Sequence, residues 1–538
     1  MGIWQLLAVV LKSSLMWGYH STDFEVHRNW MAITYNEPLS RWYYNDLSIW
    51  TLDYPPFFAY FEWCLAQIAV RVDPEIVRLS AGGVLNEKVV YFQRCSVLFS
   101  EYLLELAAMA CMTHFSRFKD FRRREAVHLL LILNGGLIMV DHMHFQYNGM
   151  LMGILVLTFD ACFRKRYLTV ALIFSCLVLS KHLFMTLAPV YALFLWRFYC
   201  MEGSHSYDIR VLGRFGVLVL VALVTIGVCF GPVLLQGLDN DLASKLPDIV
   251  KERFMQILRR LFPFGRGLVH SYWAPNVWAV YYFLDRFAYA ALKRLALSGG
   301  FAADAATKLL PVDSVSTVSG LVGGVAPAVF KDISAPVCMV LVLAFMTPAL
   351  FRIMTAPLSN KASDSESRTS LLIKCVVHAS LTAFLFGYHV HEKAILVPLV
   401  AQTFLLGGDK DSKGDGDRVA FNLYFELAVA GVAGLFPLFT TDTERYKKVL
   451  IFVGYLWLCN RVRHGHSFSL WNKFMLLVTL GVVAFTEFLY PYAATQDLAP
   501  ALASFCRKFE FVPLMTMSVS GAIFLIHAWF TSLEQLRA

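Results

Sequence analysis

Phe215-Gly-Val-Leu-Val-Leu-Val-Ala-Leu-Val-Thr-Ile-Gly-Val-Cys-Phe-Gly-Pro-Val-Leu-Leu235 runs without one charged side chain. About 20 mainly apolar residues suffice for a helix to cross a bilayer, and here the apolar residues are continuous rather than alternating. An outer-membrane barrel strand would alternate. The rest of the chain has the same character. Of its 538 residues 57% are apolar and 16% charged, against about 45–50% and 25% in a soluble domain. Both departures point the same way, which excludes a soluble enzyme and a disordered chain. The composition is that of an all-α polytopic integral membrane protein.

Working outward from that run, further apolar windows fall at 91–113, 127–141, 149–163, 168–184 and 185–200, and then at 333–355, 371–387, 394–406, 419–438, 448–460, 474–492 and 512–530. Met1 to Gly18 lacks a basic start and a small-x-small cleavage site, so it reads as a retained first span rather than a signal peptide. The count is about 14 spans. Pro55 to Val72 is short, follows a double proline and carries Glu62, and reads as an amphipathic helix at the interface. The densest basic loops are Arg117–Arg124, Arg164–Arg166 and Arg461–Arg463. With this span count all three share one side, the cytoplasmic one. Residues 20–90 and 237–332 then form two long lumenal loops. There is no N-x-[ST] sequon to check the orientation.

The net charge of +8 fits basic cytoplasmic loops, and no nucleic-acid partner is expected. The 11 cysteines are scattered without a C-x-x-C pair, so neither a zinc site nor a disulfide frame is indicated. No G-x-G-x-x-G, P-loop or H-E-x-x-H occurs. Asp239-Asn-Asp241 has the D-x-D shape of nucleotide-sugar metal sites but stands alone at a span end. Asp409-Lys-Asp-Ser-Lys-Gly414 starts like an EF-hand and lacks the later ligands. No internal repeat of the kind that builds many transporters is visible.

Four polar clusters at span ends stand out, because ionisable groups there are costly unless they function. The first is Ser21-Thr-Asp-Phe-Glu-Val-His-Arg-Asn-Trp30. On a helix Asp23 and His27 share a face with Trp30, while Glu25 and Arg28 lie on an adjoining one. An interfacial helix with solvated charges and a Trp anchor would explain the same spacing. The second is Val140-Asp-His-Met-His-Phe-Gln-Tyr-Asn-Gly149. Asp141, His142 and His144 could bind a metal, but packed into four residues they seldom all reach one ion. The third is Arg260-Leu-Phe-Pro-Phe-Gly-Arg-Gly267, with His270 and Tyr272-Trp-Ala-Pro-Asn276 after it. The fourth is Gly387-Tyr-His-Val-His-Glu-Lys-Ala394, where His389, His391 and Lys393 suit a phosphate and Glu392 tempers the charge. Lys181-His182 adds cationic character within an apolar run.

One carboxylate, several cations and a lipid-accessible body suit transfer from a lipid phosphate. The leaving phosphate needs Arg, Lys or His, and an incoming sugar hydroxyl needs one general base. These segments, with Thr51-Leu-Asp-Tyr-Pro-Pro-Phe-Phe58 and His391-Glu-Lys393, resemble the dolichyl-phosphate-glucose-dependent α-1,3-glucosyltransferases of the endoplasmic reticulum. Those are multispanning glycosyltransferases of the GT-C class. The motifs are spread in order over most of the chain.

The resemblance implies one GT-C membrane domain over residues 1–538, multi-pass in the endoplasmic reticulum membrane, with the active site facing the lumen. It implies dolichyl phosphate glucose as donor and no cofactor or metal. Ser21–Arg28, Thr51–Phe58 and Tyr272–Asn276 are similar to the branch that adds the second glucose, whose acceptor is Glc1Man9GlcNAc2-PP-dolichol. The branch acting on Man9GlcNAc2-PP-dolichol is the alternative, and a transporter or flippase is the alternative of another class. Gly265 stands where the first-glucose branch has Ala, and residues 295–330 have no clear counterpart. By this resemblance Asp23 is the catalytic base, and His391, Lys393 and Arg266 hold the departing phosphate. Glu25, His27, Arg28, Asp53, Asp141, His142, His144, Gln146 and His389 complete the expected substrate-binding set.

Overall fold

The run Phe215–Leu235 is the core of the helix Ile209–Leu235, whose Leu220, Leu223, Val224 and Val228 are exposed, as a lipid-facing stripe requires. The computed structural model describes residues 2–203, 208–237, 246–262, 267–269, 273–297, 327–358, 364–406, 415–439, 441–463, 467–495 and 500–537. Arg266, Asp239–Asp241, His270, Tyr272, Asp409–Gly414 and most of 295–330 lie outside them. Among the described residues the chain is helical, with an isolated bridge between Val269 and Val390 in place of strands.

Nine described helices are long and apolar enough to cross a membrane: Glu87–Met112, Phe121–Phe145, His182–Cys200, Ile209–Leu235, Ala335–Thr355, Asp364–Phe386, Gly416–Leu438, Leu470–Thr495 and Val512–Arg537. They cover nine of the fourteen expected windows. The other five windows fall on Gly2–Ser14, Asn148–Phe163, Tyr167–Ser180, Leu396–Thr403 and Asp442–Arg461. Four of these are short: at about 1.5 Å per residue, the 13 residues of Gly2–Ser14 reach only about 20 Å. Asp442–Arg461 is long enough but opens with Asp442, Glu444, Arg445, Lys447 and Lys448.

The fold comprises two compact units. The first is Met1–Pro263, Ala349–Val376 and Thr403–Asp411; the second is Phe264–Pro348, Val377–Gln402 and Ser412–Ala538. In the first unit Glu87–Met112 packs along Asn148–Phe163, and Thr22–Asn36 packs on Pro56–Val72. The first of these contacts is set by two glycines four apart. A Cβ on Gly153 would stand 2.7 Å from the Leu104 nitrogen, and one on Gly149 would stand 2.5 Å from Glu101 Cγ. Small residues at this spacing let two membrane helices approach closely. In the second unit Val512–Arg537 is the hub, packed against Asp415–Glu426, Val277–Leu297 and Leu470–Ala484.

Candidate active site

The helix Thr22–Asn36 places Asp23 and Glu25 in its first turn, where unsatisfied N–H groups favour a carboxylate by about 0.3–1 kcal/mol. The Ser21 hydroxyl donates to the His144 carbonyl instead of capping the helix. Phe24 is buried and meets Phe145 edge-on at 5.0 Å. Further along, Asn29 Nδ2 donates to the Trp50 carbonyl at 2.9 Å and Trp30 Nε1 to the Thr51 carbonyl at 3.0 Å. The helix thereby holds the Thr51–Phe58 segment beside it.

The span Phe121–Phe145 finishes in a π-helical turn, Ile138–Phe145, and Phe145 takes a φ of 97°. That left-handed conformation costs a non-glycine residue about 1–3 kcal/mol. Arg94 offsets it: its guanidinium donates to the carbonyls of His142 (2.7 Å), Met143 (3.1 Å) and Tyr19 (2.7 Å). It also lies 5.6 Å from the ring centres of Phe24 and Phe145. The reversal at Phe145 has a direct consequence. His144 and Gln146, which flank it, both reach the same atom, Asp23 Oδ2: Gln146 Nε2 donates at 2.6 Å and His144 Nε2 stands at 3.2 Å. The Asp23 side chain retains 25% exposure.

Asp141 takes other partners. It accepts from Asn148 Nδ2 at 2.8 Å and from the Gly149 N–H at 2.6 Å, so it caps the start of Asn148–Phe163. Asn148 Nδ2 also donates to Gln146 Oε1 at 2.9 Å, and Lys181 Nζ donates to Asn148 Oδ1 at 3.0 Å. His142 Nε2 lies 2.6 Å from Glu101 Oε2, which also receives Lys12 Nζ at 2.8 Å. The two histidines and the aspartate of this cluster thus bond in three directions. Among the described residues no three His, Cys, Asp or Glu side chains gather as a metal site would need.

Glu25 and Arg28 form a buried pair on the other face of the helix. Arg28 further donates to the carbonyls of Ile76 (3.1 Å) and Arg78 (2.8 Å), and Glu25 accepts the Val84 N–H at 3.2 Å. Together they staple the 76–84 segment to the helix. Burial pushes the Glu25 carboxyl up, against the lowering field of Arg28. His27 Nδ1 lies 2.6 Å from Glu62 Oε1, both fully enclosed, and burial likewise raises Glu62 against its bond to His27.

Asp53 is half-buried in the Thr51–Phe58 segment. Beside it the Tyr54 phenol is pushed far up, first by burial and then by the negative fields of Asp53 and Asp23. The Lys181 ammonium sits 5.2 Å from the centre of the Tyr54 ring. In the first unit the fields of Asp53 and Asp23 thus meet at Tyr54, with the Lys181 ammonium at its ring and the Arg260 guanidinium donating to Thr51 Oγ1 at 3.3 Å.

The part of Asp364–Phe386 that belongs to the second unit ends at Gly387, where an added Cβ would clash with the Ala383 carbonyl oxygen. His389 has a φ of 52°. Its N–H donates to the Leu268 carbonyl at 2.8 Å, and its Nδ1 lies 2.9 Å from the Gly267 carbonyl, which requires a donor there. The His391 ring stands 5.6 Å away, near perpendicular. His391 and Lys393 flank the buried Glu392, and both are half-buried.

Of the expected residues, the structure groups Asp23, His144 and Gln146 at one atom, with Asp141 linked through Asn148. It groups His389 with His391 in the other unit, and it turns Glu25, Arg28, His27 and His142 toward buried partners. Glu62 and Glu101, lone carboxylates in apolar stretches, join the expected residues as partners of His27 and His142, and Asn148 joins them through its amide.

The ALG6, ALG8 glycosyltransferase family matches this chain over residues 8–532. A Drosophila melanogaster protein named "Probable dolichyl pyrophosphate Glc1Man9GlcNAc2 alpha-1,3-glucosyltransferase" is 35% identical over 97% of this chain and 92% of its own length. A Mus musculus protein with that name, without "Probable", is 34% identical over 97% and 92%. The Arabidopsis thaliana relative of the same name is 33% identical over 98% and 96%.

Proposed function

We propose, because the chain belongs to the ALG6, ALG8 glycosyltransferase family, that it adds the second glucose in the assembly of the lipid-linked oligosaccharide for protein N-glycosylation. It is a glycosyltransferase. The donor is dolichyl phosphate glucose and the acceptor Glc1Man9GlcNAc2-PP-dolichol, the substrate in the names of its relatives. The observation that carries the chemical reading is Asp23: a carboxylate in a helical first turn, oriented by Gln146 and His144, with a quarter of its side chain exposed.

Asp23 takes the proton from the 3-hydroxyl of the terminal glucose. The oxygen attacks C1 of the β-linked glucosyl phosphate, and the C1–O bond breaks with its electron pair leaving on dolichyl phosphate. Attack from the opposite face gives the α-1,3 product with inversion. His391 and Lys393, with Arg266, stabilise the dianionic leaving group through charge-assisted hydrogen bonds. His389 sets the turn that presents them. Asp53, half-buried in the Thr51–Phe58 segment, offers an acceptor to sugar hydroxyls, while His27 and Asp141, enclosed with their own partners, hold the elements around Asp23 in place.

In this reading the chain makes about 14 crossings of the endoplasmic reticulum membrane, and residues 20–90 and 237–332 face the lumen. The one-sided grouping of Arg117–Arg124, Arg164–Arg166 and Arg461–Arg463 supports it. A cysteine placed in 237–332 is then labelled only from the lumenal side of sealed vesicles; cytosolic labelling overturns the topology. The function itself is tested by offering purified protein a radiolabelled dolichyl phosphate glucose with either Man9GlcNAc2-PP-dolichol or Glc1Man9GlcNAc2-PP-dolichol. Transfer to the monoglucosylated acceptor alone is expected. Transfer to the unglucosylated one assigns the first glucose instead, and no transfer to either removes the reading.

A further inference from the structure

Four side chains form a chain of hydrogen bonds whose direction is set from both ends. Lys181 carries only donors, so its bond to Asn148 at 3.0 Å requires the Asn148 oxygen on that side. The Asn148 amide nitrogen then faces Asp141 Oδ1 at 2.8 Å and Gln146 Oε1 at 2.9 Å. The Asp141 carboxylate accepts there, and its other oxygen is fixed by the Gly149 N–H at 2.6 Å. With its oxygen committed to Asn148, Gln146 can only present its nitrogen to Asp23, at 2.6 Å. A flipped Gln146 would turn its oxygen on the Asp23 carboxylate, and a flipped Asn148 would turn its oxygen on Asp141 and Gln146 Oε1 and its nitrogen on Lys181.

We propose that Lys181 and Asn148 are positioning residues for the glucosyl transfer, acting through Gln146 on Asp23. The relay fixes which face of the Gln146 amide meets the base, and so fixes the orientation of the Asp23 carboxylate toward the attacking hydroxyl. This rests on the reading of Asp23 as the base. Lys181 is well suited to the far end. It follows the helix Tyr167–Ser180 directly, and its ammonium is also held at the Tyr54 ring. The cation therefore keeps its place while donating to Asn148. Gly149 matters for the same reason: its N–H anchors Asp141, and the close approach of Glu101 leaves no room for a side chain there.

The test compares Lys181→Met, Lys181→Arg, Gln146→Leu and the double variant Lys181→Met/Gln146→Leu in the full-length purified protein, with dolichyl phosphate glucose and Glc1Man9GlcNAc2-PP-dolichol. Lys181→Met is expected to lower kcat roughly tenfold to a hundredfold, the value of one hydrogen bond to a charged group, with both KM values little changed. Lys181→Arg, which keeps a charged donor, restores most of the rate. The double variant loses no more than Gln146→Leu alone, because both act on one path. Wild-type kcat in Lys181→Met, equal loss in Lys181→Arg, a change confined to KM, or additive losses each overturn the relay.

Should Lys181→Met not fold, Gln146→Glu applies the same test. It keeps the shape but turns an acceptor toward Asp23, and it must lower kcat at unchanged KM; a wild-type kcat there overturns the relay. Wild-type protein and Asp23→Asn run alongside. An inactive wild type refutes the glucosyltransferase reading, and an active Asp23→Asn refutes the base and the relay with it. A flat response to Lys181→Met between those two controls refutes the relay alone.

Discussion

Two carboxylates stand two residues apart in the first turn of one helix, and the two faces they occupy do opposite things. On the Asp23 face the bonds come from side chains, Gln146 and His144, and a quarter of the group stays exposed. On the Glu25 face the bonds lead to a fully enclosed guanidinium and to main-chain groups of residues 76–84. A group oriented by polar side chains and open at one edge can exchange a proton with a substrate. A group locked to a buried cation holds the loop in place. The difference lies in the partners, since chemistry and helix position are nearly the same.

That contrast breaks most sharply at Asp23→Asn. The amide is nearly isosteric but takes no proton, so turnover should fall about 10²–10⁴-fold with thermal stability in detergent unchanged; near-wild-type turnover places the base elsewhere. Glu25→Gln should do the reverse. Arg28 is then left buried beside a neutral amide, and breaking a buried pair costs about 3–5 kcal/mol, read as a drop in melting temperature. Turnover per folded molecule should stay near wild type. A greater loss of turnover in Glu25→Gln than in Asp23→Asn would exchange the two roles.

In the second unit, Lys393→Ala or His391→Ala should weaken use of the donor at subsaturating concentration. The loss of a charge-assisted contact to phosphate, about 1.5–3 kcal/mol, corresponds to roughly ten- to a hundredfold, with the acceptor KM unchanged. Unaltered donor kinetics in both variants would leave that turn a purely structural device.

The smallest effect concerns Glu62, on Pro56–Val72, the partner of His27, which stands one helical turn after Asp23. Burial raises its carboxyl above the ordinary value of 4.5. The folded state thus holds this proton more tightly than the unfolded one. Its contribution to stability is full below about pH 4.5 and is lost as pH rises through the raised folded value. Glu62→Gln keeps a hydrogen-bonding partner for His27 and has nothing to titrate, so its melting temperature should decline less than wild type over that window. Parallel profiles would show that Glu62 is not the group responsible.

The Ser21–Trp30 and Val140–Gly149 segments were both legible as functional in the sequence, because charged and amide side chains crowd the ends of apolar runs. Asp23 was legible within them as the first carboxylate after the first apolar run. What escaped sequence reading was how the two segments meet. Residues 144 and 146, two apart, would diverge on a regular helix, and they converge on Asp23 only because Phe145 adopts a positive φ under the hold of Arg94. Lys181 was legible as a cation in an apolar run but not as a partner of Asn148, 33 residues earlier.

The sequence by itself determined that this chain is a bundle of membrane helices and which segments carry polar chemistry, since both follow from composition and from local periodicity against a bilayer about 30 Å thick. Tertiary structure alone decided which carboxylate is stapled and which is poised. The deciding bonds, such as that between Gln146 and Asp23 across 123 residues, depend on helix packing. Local periodicity speaks only for neighbours three or four residues apart.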